Sequence, residues 1–185
     1  GNDFGYVVGT CLIVKANNVI IDFDGHSING DNSSIDYGII INGYNGTIIK
    51  NGFITGFKGD TGPPGSETYG GAAIYLKNSY DSRISNMTLY SNFHGILLES
   101  SYNNQILDSN ISSNNYTMLS GPMEGCGIHS INSVDNVIKG NKFNFNAYGI
   151  HIISTNSTSL ISNEVNNNYN AGIKIQNSSS NLIEA

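Results

Sequence analysis

The 185-residue chain is poor in basic residues and has no long apolar run, and each scarcity excludes a class of protein. It has 8 lysines and arginines against 14 aspartates and glutamates, which gives a formal net charge of −6. Because nucleic-acid binding depends on clustered Lys and Arg, this balance argues against a nucleic-acid partner. Nowhere does the sequence approach about 18 consecutive apolar residues, so we expect no membrane-spanning helix.

What the sequence does contain is a repeat of about 22 residues, in which each copy opens with Gly-Ile or a close variant. Successive openings are 35, 22, 32, 22 and 23 residues apart, so three intervals equal one period and two are longer. A fixed period in this range is typical of solenoid proteins. The six openings are Gly38-Ile39, Ala73-Ile74, Gly95-Ile96, Gly127-Ile128, Gly149-Ile150 and Gly172-Ile173.

Apolar residues recur at fixed places within each copy. The second position is always Ile, and the fourth, twelfth and seventeenth positions are Ile, Leu, Val or Phe with the single exception of Ser130. Apolar residues two apart, separated by short breaks of Asn, Ser and Gly, indicate strands with one buried face, and the breaks are too frequent for helices. We therefore predict an all-β fold, a single-stranded right-handed parallel β-helix of about six to seven coils, with rungs about 4.8 Å apart.

The repeat continues through the chain without a linker, so we expect residues 1–185 to form a single domain. We assign residues 1–9 to an N-terminal strand or arm, 10–37 to a degenerate first coil and 38–185 to the regular coils. Insertions at 60–72 and 117–126 account for the two long intervals. Asparagines near the fourteenth position are expected at corners, as turn formers and stacking ladders.

The two cysteines, Cys11 and Cys126, are separated by four rungs in this register. Four rungs measure about 19 Å, whereas a disulfide needs Cα atoms within about 7 Å. We therefore expect two buried or half-buried thiols. A loop that shortens the distance, or an intermolecular disulfide, is the alternative.

Three segments resemble the repeats of the NosD-like, or CASH-type, parallel β-helix family. Residues 17–30 (NNVIIDFDGHSING) are similar to its entry motif, 46–54 (GTIIKNGFI) to its second coil, and 84–89 (ISNMTL) to its later repeats. The resemblance covers nearly the whole chain. It implies a secreted or cell-surface β-helix of a fold that also serves carbohydrate-active enzymes. Family members described as copper-binding need metal ligands, for which this chain offers its histidines.

The third position of each copy faces outward and carries two histidines in succession. His129 and His151 should lie on adjacent rungs, close enough to share a metal ion. A third ligand is not apparent, and Lys174 on the next rung would repel a cation. We therefore expect no cofactor, with Ca²⁺ or a transition metal as the alternative. Otherwise the two side chains are exposed members of a ladder.

The two insertions interrupt the repeat at the same corner, two rungs apart, so they should lie side by side. Asp60, Glu67 and Glu124 lie in them, and Asp36 and His94 lie at neighbouring corners. Functional residues of solenoids concentrate on such loops. This group is a candidate site for Ca²⁺ or a sugar, or else the loops are only solvated.

Catalytic β-helices need several carboxylates on one outer sheet, often with Lys or Arg. Here the outward positions are mostly Ser, Asn, Thr and Tyr, and no such group emerges. We therefore predict that the protein is not an enzyme.

Seven Asn-X-Ser/Thr sequons fit a secreted, glycosylated protein at an extracellular or cell-surface location. They are Asn32, Asn45, Asn86, Asn110, Asn115, Asn156 and Asn177. The sequence shows neither an initiator Met nor a signal peptide, which leads us to expect a processed mature chain or a piece of a longer β-helix.

Both ends of a β-helix are edges that pair with another chain unless they are capped. Because the strand-prone residues 1–9 could complete the final coil of a neighbour, we predict head-to-tail stacking into an extracellular filament or surface assembly. The alternative function is a carbohydrate-binding or polysaccharide-processing module, with glycans as partners. The predicted subunit interface comprises Phe4, Tyr6, Val7 and Val8 at one end and Ile175, Leu182 and Ile183 at the other.

Overall fold

The structure is a computed structural model that describes residues 3–33, 35–58, 70–117 and 123–185. These residues form strands and turns and contain no helix. The strands are β1 (Phe4–Val7), β2 (Leu12–Val14), β3 (Ile20–Asp22), β4 (Ser27–Gly30), β5 (Tyr37–Asn42), β6 (Ile48–Thr55), β7 (Ala72–Lys77), β8 (Arg83–Tyr90), β9 (His94–Glu99), β10 (Gln105–Leu107), β11 (Asn110–Ser112), β12 (Tyr116–Thr117), β13 (Met123–Glu124), β14 (Cys126–Ile131), β15 (Val137–Lys139), β16 (Lys142–Asn144), β17 (Tyr148–Ile153), β18 (Ser159–Ile161), β19 (Glu164–Asn166), β20 (Ala171–Gln176) and β21 (Leu182–Glu184).

The strands form two parallel sheets, as the repeat predicts. A seven-stranded sheet has the order β2-β5-β7-β9-β14-β17-β20, and the remaining strands except β12 and β13 form a twelve-stranded sheet. Ile96 pairs with Ile128 and Ile128 with Ile150, so equivalent positions of successive copies lie side by side. The prediction of a parallel β-helix is confirmed.

The apolar positions of the repeat fill the interior. Ile and Leu side chains at the second, fourth, twelfth and seventeenth positions are almost entirely buried through the middle coils. Ser130, the polar exception at the fourth position, is also fully buried, and its carbonyl accepts a hydrogen bond from the Thr155 hydroxyl (3.2 Å). The interior is thus packed by the repeat itself, and the surfaces available for function are the outward faces and the corners.

Steric crowding between strands explains the glycine that opens each copy. A Cβ atom placed on Gly95, Gly127 or Gly149 would lie 2.5–2.6 Å from the carbonyl oxygen of the next opening glycine. Such a contact is shorter than van der Waals distance permits, so a side chain would push neighbouring coils apart. The Gly-Ile signal therefore marks the closest approach of the backbones.

Each coil turns at corners whose residues have a left-handed backbone. Asn51, Asn86 and Asp108 have φ between 48° and 62° at the corner that the sequence predicts near the fourteenth position. Asn tolerates this conformation better than most residues. Asn141 and Asn163, which the same pattern groups with them, lie one position later and form a ladder of inward-facing polar side chains.

Inward-facing polar side chains that follow many of the left-handed residues tie one coil to the next. Asn114 donates its backbone N–H to Oδ1 of Asn146 (2.9 Å), and Asn146 does the same to Asn168 (3.0 Å). The Asn146 side-chain amide also donates to the Ile111 carbonyl (3.0 Å), so both its oxygen and its nitrogen have partners although the side chain is fully buried. Three similar ladders begin at Ser79, Thr47 and Met87.

The first coil and the N-terminal segment differ in detail from the expected register. Ile21 aligns with Ile49 and Ile28 with Ile54, so the first coil holds two residues more than the next between its two core isoleucines. β1 pairs in parallel with β4 of the same chain. Residues 4–7 are therefore a strand of this β-helix and not a detached arm.

The residues predicted to form subunit contacts lie at the two ends of the described structure. Phe4, Tyr6 and Val8 are exposed at one end, where Val7 is half-buried, and Ile175, Leu182 and Ile183 are exposed at the other. Head-to-tail stacking stays a prediction. Cys11 and Cys126 form no disulfide bond, and in the described part of the chain no helix could cross a lipid bilayer.

The asparagine ladders make a direct prediction about stability. Replacing Asn146 by Ala leaves the Asn114 N–H and the Ile111 carbonyl buried without partners, so the free energy of unfolding should fall by roughly 2–4 kcal/mol. The control Asn42→Ala removes an exposed amide and should change it by less than about 0.5 kcal/mol. Equal losses in urea denaturation of the two variants would contradict a structural role for the ladder.

Candidate functional site

The outward face of the seven-stranded sheet presents two columns of side chains that include polar and titratable residues. One column of this face, in register, holds Ile13, Ile40, Tyr75, Leu97, His129, His151 and Lys174. A second column, four residues after the opening position, holds Asn42, Lys77, Glu99, Ile131, Ile153 and Gln176. A half-exposed groove lies near the N-terminal end of the face, and a buried histidine cluster lies further along it.

The groove has a volume of about 500 Å³ and combines apolar, aromatic and polar side chains. Its apolar lining includes Ile13, which is 60% exposed, together with the half-buried Ile40 and Tyr37. Thr10, Val14, Lys15, Asn42 and Tyr44 complete the lining. Such a mixture suits a ligand that presents both carbon-bound hydrogens and hydroxyl or carboxylate groups.

Beside the groove, Glu99 is the only carboxylate within the seven strands of this sheet. It accepts hydrogen bonds from the Tyr75 hydroxyl and from the Lys77 ammonium, the latter at 2.9 Å. Burial raises the pKa of Glu99, but the hydrogen bonds from Tyr75 and Lys77 outweigh it and hold that pKa below its ordinary value. Burial, followed by the hydrogen bond to Glu99 and then by its charge, raises the pKa of Tyr75. Glu99 is therefore an ionised acceptor and Tyr75 a neutral donor at neutral pH.

Further along the same face, His94, Cys126 and His129 come together. One ligand atom from each, a ring nitrogen or Sγ, lies within 4.8 Å of the other two, and all three residues are buried. The Cys126 backbone N–H donates to Nδ1 of His94 (3.2 Å), which directs that nitrogen's lone pair towards the strand of Cys126. Cys126 pairs with Tyr148 and His129 with His151 in the register of β14 with β17, and the side chains of Cys126 and His129 reach the same cluster although they are three residues apart.

The imidazoles of this cluster are stacked along the sheet. The ring centroids of His94 and His129 are 5.0 Å apart, and those of His129 and His151 are also 5.0 Å apart with parallel planes. Nε2 of His151 lies 2.7 Å from Oε1 of Gln176. In contrast, both ring nitrogens of His129 and Nε2 of His94 have no hydrogen-bond partner in the described part of the chain.

Burial keeps the imidazoles of His94 and His129 neutral. Desolvation, with a smaller contribution from the His151 charge, lowers the pKa of His94 to about 3. The pKa of His129 is lowered well below its ordinary value by desolvation first and then by His94, His151 and Lys174. Neutral imidazoles have lone pairs available to accept a hydrogen bond or to bind a metal.

The structure changes the expectations for the histidines. His129 and His151 lie on adjacent strands but are not exposed ladder residues, since His129 is 0% and His151 1% exposed. His94 is the first residue of β9 and contacts His129, so it belongs to this cluster and not to an acidic corner. Sequence reasoning missed Cys126 as a neighbour of these rings, although it lies only three residues before His129.

The structure describes only some of the acidic residues that the sequence places at the corner with the two insertions. Asp60 and Glu67 lie outside the described residues. Glu124 is half-buried in β13, which pairs with β12 in an antiparallel hairpin within the second insertion. Asp36 is half-buried, and its backbone carbonyl accepts the Ala72 N–H (3.2 Å). The proposed Ca²⁺ or sugar site at this corner stays a prediction.

The seven sequons lie at corners and outward positions. Asn32, Asn86, Asn110, Asn156 and Asn177 are exposed, whereas Asn45 and Asn115 are half-buried. The Asn86 and Asn115 amides donate to Asn51 Oδ1 (2.8 Å) and to the Phe145 carbonyl (2.7 Å). Glycosylation at these two sites would therefore cost a hydrogen bond.

Comparison with known proteins places the chain in a family. The family model described as "Periplasmic copper-binding protein (NosD)" matches residues 7–185. No curated protein sequence matches the chain significantly.

Three solved structures are similar to this chain to different degrees. A Dettilon tailspike protein is 17% identical with a TM-score of 0.66, and the match covers 94% of this chain but only 39% of the tailspike. A putative glycosyl hydrolase from Parabacteroides merdae is 13% identical with a TM-score of 0.48, over 95% of this chain and 77% of that one. A mutant of the periplasmic alginate epimerase AlgG is 18% identical with a TM-score of 0.44, over 97% and 46%. At 17% identity, the match to the tailspike protein shows a shared fold and nothing more.

The prediction that the protein is not an enzyme is wrong. Structural neighbours of this chain include proteins named as a glycosyl hydrolase and an alginate epimerase. In addition, the prediction required several carboxylates on one outer sheet, and it overlooked the single Glu99 held between Tyr75 and Lys77.

The copper in the family description can be tested against the residues present. Thiolate and imidazole are ligands that suit copper, and two His with one Cys is a set that copper proteins use. His94, Cys126 and His129 supply that set, and among the described residues neither ring nitrogen of the buried His129 has a partner, so the lone pair of that ring has no other role. The residues of this chain therefore fit a copper ion.

Proposed function

Since the chain belongs to the NosD family of periplasmic copper-binding proteins, we propose that it works outside the cytoplasm, where it binds and processes a polysaccharide along the outward face of the seven-stranded sheet. The observation that carries this proposal is the groove lined by Ile13, Tyr37 and Lys15, because it joins an apolar floor to polar and charged rim groups.

The shape of the face suits a linear polymer. Its columns extend along the β-helix at one strand spacing per coil, about 4.8 Å, so a chain of sugar units can contact successive rungs. Asn42 pairs in register with Lys77 and Lys77 with Glu99, which places Glu99 two strand spacings from the groove rim. A polymer seated in the groove and extending along this column reaches Glu99.

The charge of this region favours an acidic sugar. Lys15 lines the groove and Lys77 lies one strand beyond Asn42, although the chain as a whole has a net charge of −6. Because the Lys77 ammonium is paired with Glu99, Lys15 is the ammonium group that attracts a carboxylate-bearing polymer to the groove. Glu99, ionised and hydrogen-bonded to Tyr75, is the group that takes up a proton from the bound sugar.

Binding can be tested on a glycan array that includes alginate and neutral glucans. We expect Lys15→Gln to weaken binding to the preferred glycan roughly tenfold, because the variant loses a charged hydrogen bond at the rim. The matched control Lys139→Gln removes one positive charge from the twelve-stranded sheet and should bind as the wild type does. Binding to no glycan, or equal loss in the two variants, would refute the proposal.

Processing can be tested on the glycan that the array identifies. Glu99→Gln keeps an acceptor for the Tyr75 hydroxyl but cannot take up a proton, so product formation measured by proton NMR of the saccharide should fall at least about 100-fold. Affinity for the glycan should change much less. The control Glu164→Gln removes an exposed acid that also pairs with a lysine, Lys142 (3.7 Å), and should retain full turnover. Unchanged turnover in the Glu99 variant would exclude it from the reaction.

A further inference from the structure

Beyond the proposed polysaccharide function, we propose that His94, Cys126 and His129 form a binding site for one monovalent copper ion. The family description names copper but assigns it to no residue. The proposal therefore concerns where on this chain the ion is held and in which charge state.

The geometry brings three suitable ligand atoms together from two adjacent strands. His94 begins β9, and Cys126 and His129 lie on β14, with the three ligand atoms within 4.8 Å of one another. A bound ion needs ligand atoms about 3–4 Å apart, since metal–ligand bonds to S and N are about 2.0–2.3 Å long. Small side-chain rotations therefore close the site without moving the strands.

The buried histidine nitrogens are the second, independent observation. His129 is 0% exposed, and among the described residues neither of its ring nitrogens has a hydrogen-bond partner, nor does Nε2 of the 2%-exposed His94. Buried polar groups in native proteins are almost always paired, so orphaned imidazole nitrogens call for a specific explanation. A metal ion bound to His129 uses the one lone pair of its neutral ring, which no described side chain engages.

Charge balance selects the ion. The site offers one ligand that becomes anionic, the Cys126 thiolate, and two neutral imidazoles. One thiolate and a monovalent cation sum to zero, whereas a divalent ion would leave a net positive charge in a buried site, which is costly. Soft thiolate ligands also favour Cu(I), whereas Ca²⁺ prefers oxygen ligands.

Neighbouring groups are compatible with this assignment. The Lys174 ammonium lies over the Tyr148 ring, 4.9 Å from its centroid, so the ring's negative face offsets its charge. The ring of His151 is stacked on His129, and its Nε2 lies at hydrogen-bond distance from Gln176, which leaves it outside the ligand group. Binding replaces the Cys126 thiol proton by the metal, and one proton is released to solvent.

The test is an anaerobic titration of the purified chain with Cu(I) held by a chromophoric competing chelator. The wild type should take up one Cu(I) per chain and melt at a higher temperature when loaded. Cys126→Ser and His129→Gln should each weaken binding at least about 100-fold. The matched controls Cys11→Ser and His26→Gln remove a thiol and an imidazole outside the cluster, and both should bind as the wild type does.

Two further measurements keep the proposal open to refutation if a buried variant fails to fold. X-ray absorption of the loaded wild type should show one sulfur and two nitrogen scatterers around copper, and two sulfurs would overturn the assigned ligands. A parallel titration with Zn(II) should give weaker binding, and Zn(II) binding as tight as Cu(I) would overturn the argument from charge. Absence of stoichiometric Cu(I) binding, or equal loss in the Cys11 and Cys126 variants, would overturn the site itself.

Discussion

The structure depends on one constraint: each coil must close after a nearly fixed length so that the next coil lies one strand spacing away. Left-handed residues at the corners turn the chain, and the polar residues that follow many of them are buried in the interior. Asn114, Asn146 and Asn168 show the result, because each side chain accepts the backbone N–H of the equivalent residue in the preceding coil. Buried amides that would otherwise be costly become the links between coils.

This regular stacking turns sequence spacing into distance on the outer faces. Residues one period apart become neighbours in a column, and the residue before the opening glycine lies on the same outward face as the residue two places after it. Cys126 and His129 flank Gly127 in this way. The same sheet therefore carries a half-exposed groove at one end and a buried cluster of soft metal ligands further along, both built on rigid strands.

Much of this could be predicted from the sequence. The opening glycines recur in the sequence because a Cβ there would collide with the next coil. The isoleucines recur at alternate positions because only one face of each strand is buried. The adjacency of His129 and His151 follows from their spacing of one period. The Lys77–Glu99 pair has the same spacing of 22 residues and was within reach of the same reasoning.

Other features could not be predicted, for physical reasons. An outward-facing side chain is exposed to solvent only if no other part of the chain packs over it. The repeat period gives no information about such packing, so the burial of His94 and His129 was missed. Cys126 was considered only as a disulfide partner of Cys11, because an insertion precedes it and interrupts the register. The register of the first coil was mispredicted because two extra residues lie between its core isoleucines.

The central claim is that function resides on the outward face of the seven-stranded sheet. The most direct measurement is a map of backbone amide shifts by NMR as the oligosaccharide identified on the array is added. The account predicts shifts concentrated at Lys15, Asn42 and Glu99 and at their neighbours in β2, β5, β7 and β9. Shifts confined to the twelve-stranded sheet, around Arg83, Gln105 and Lys139, would contradict it.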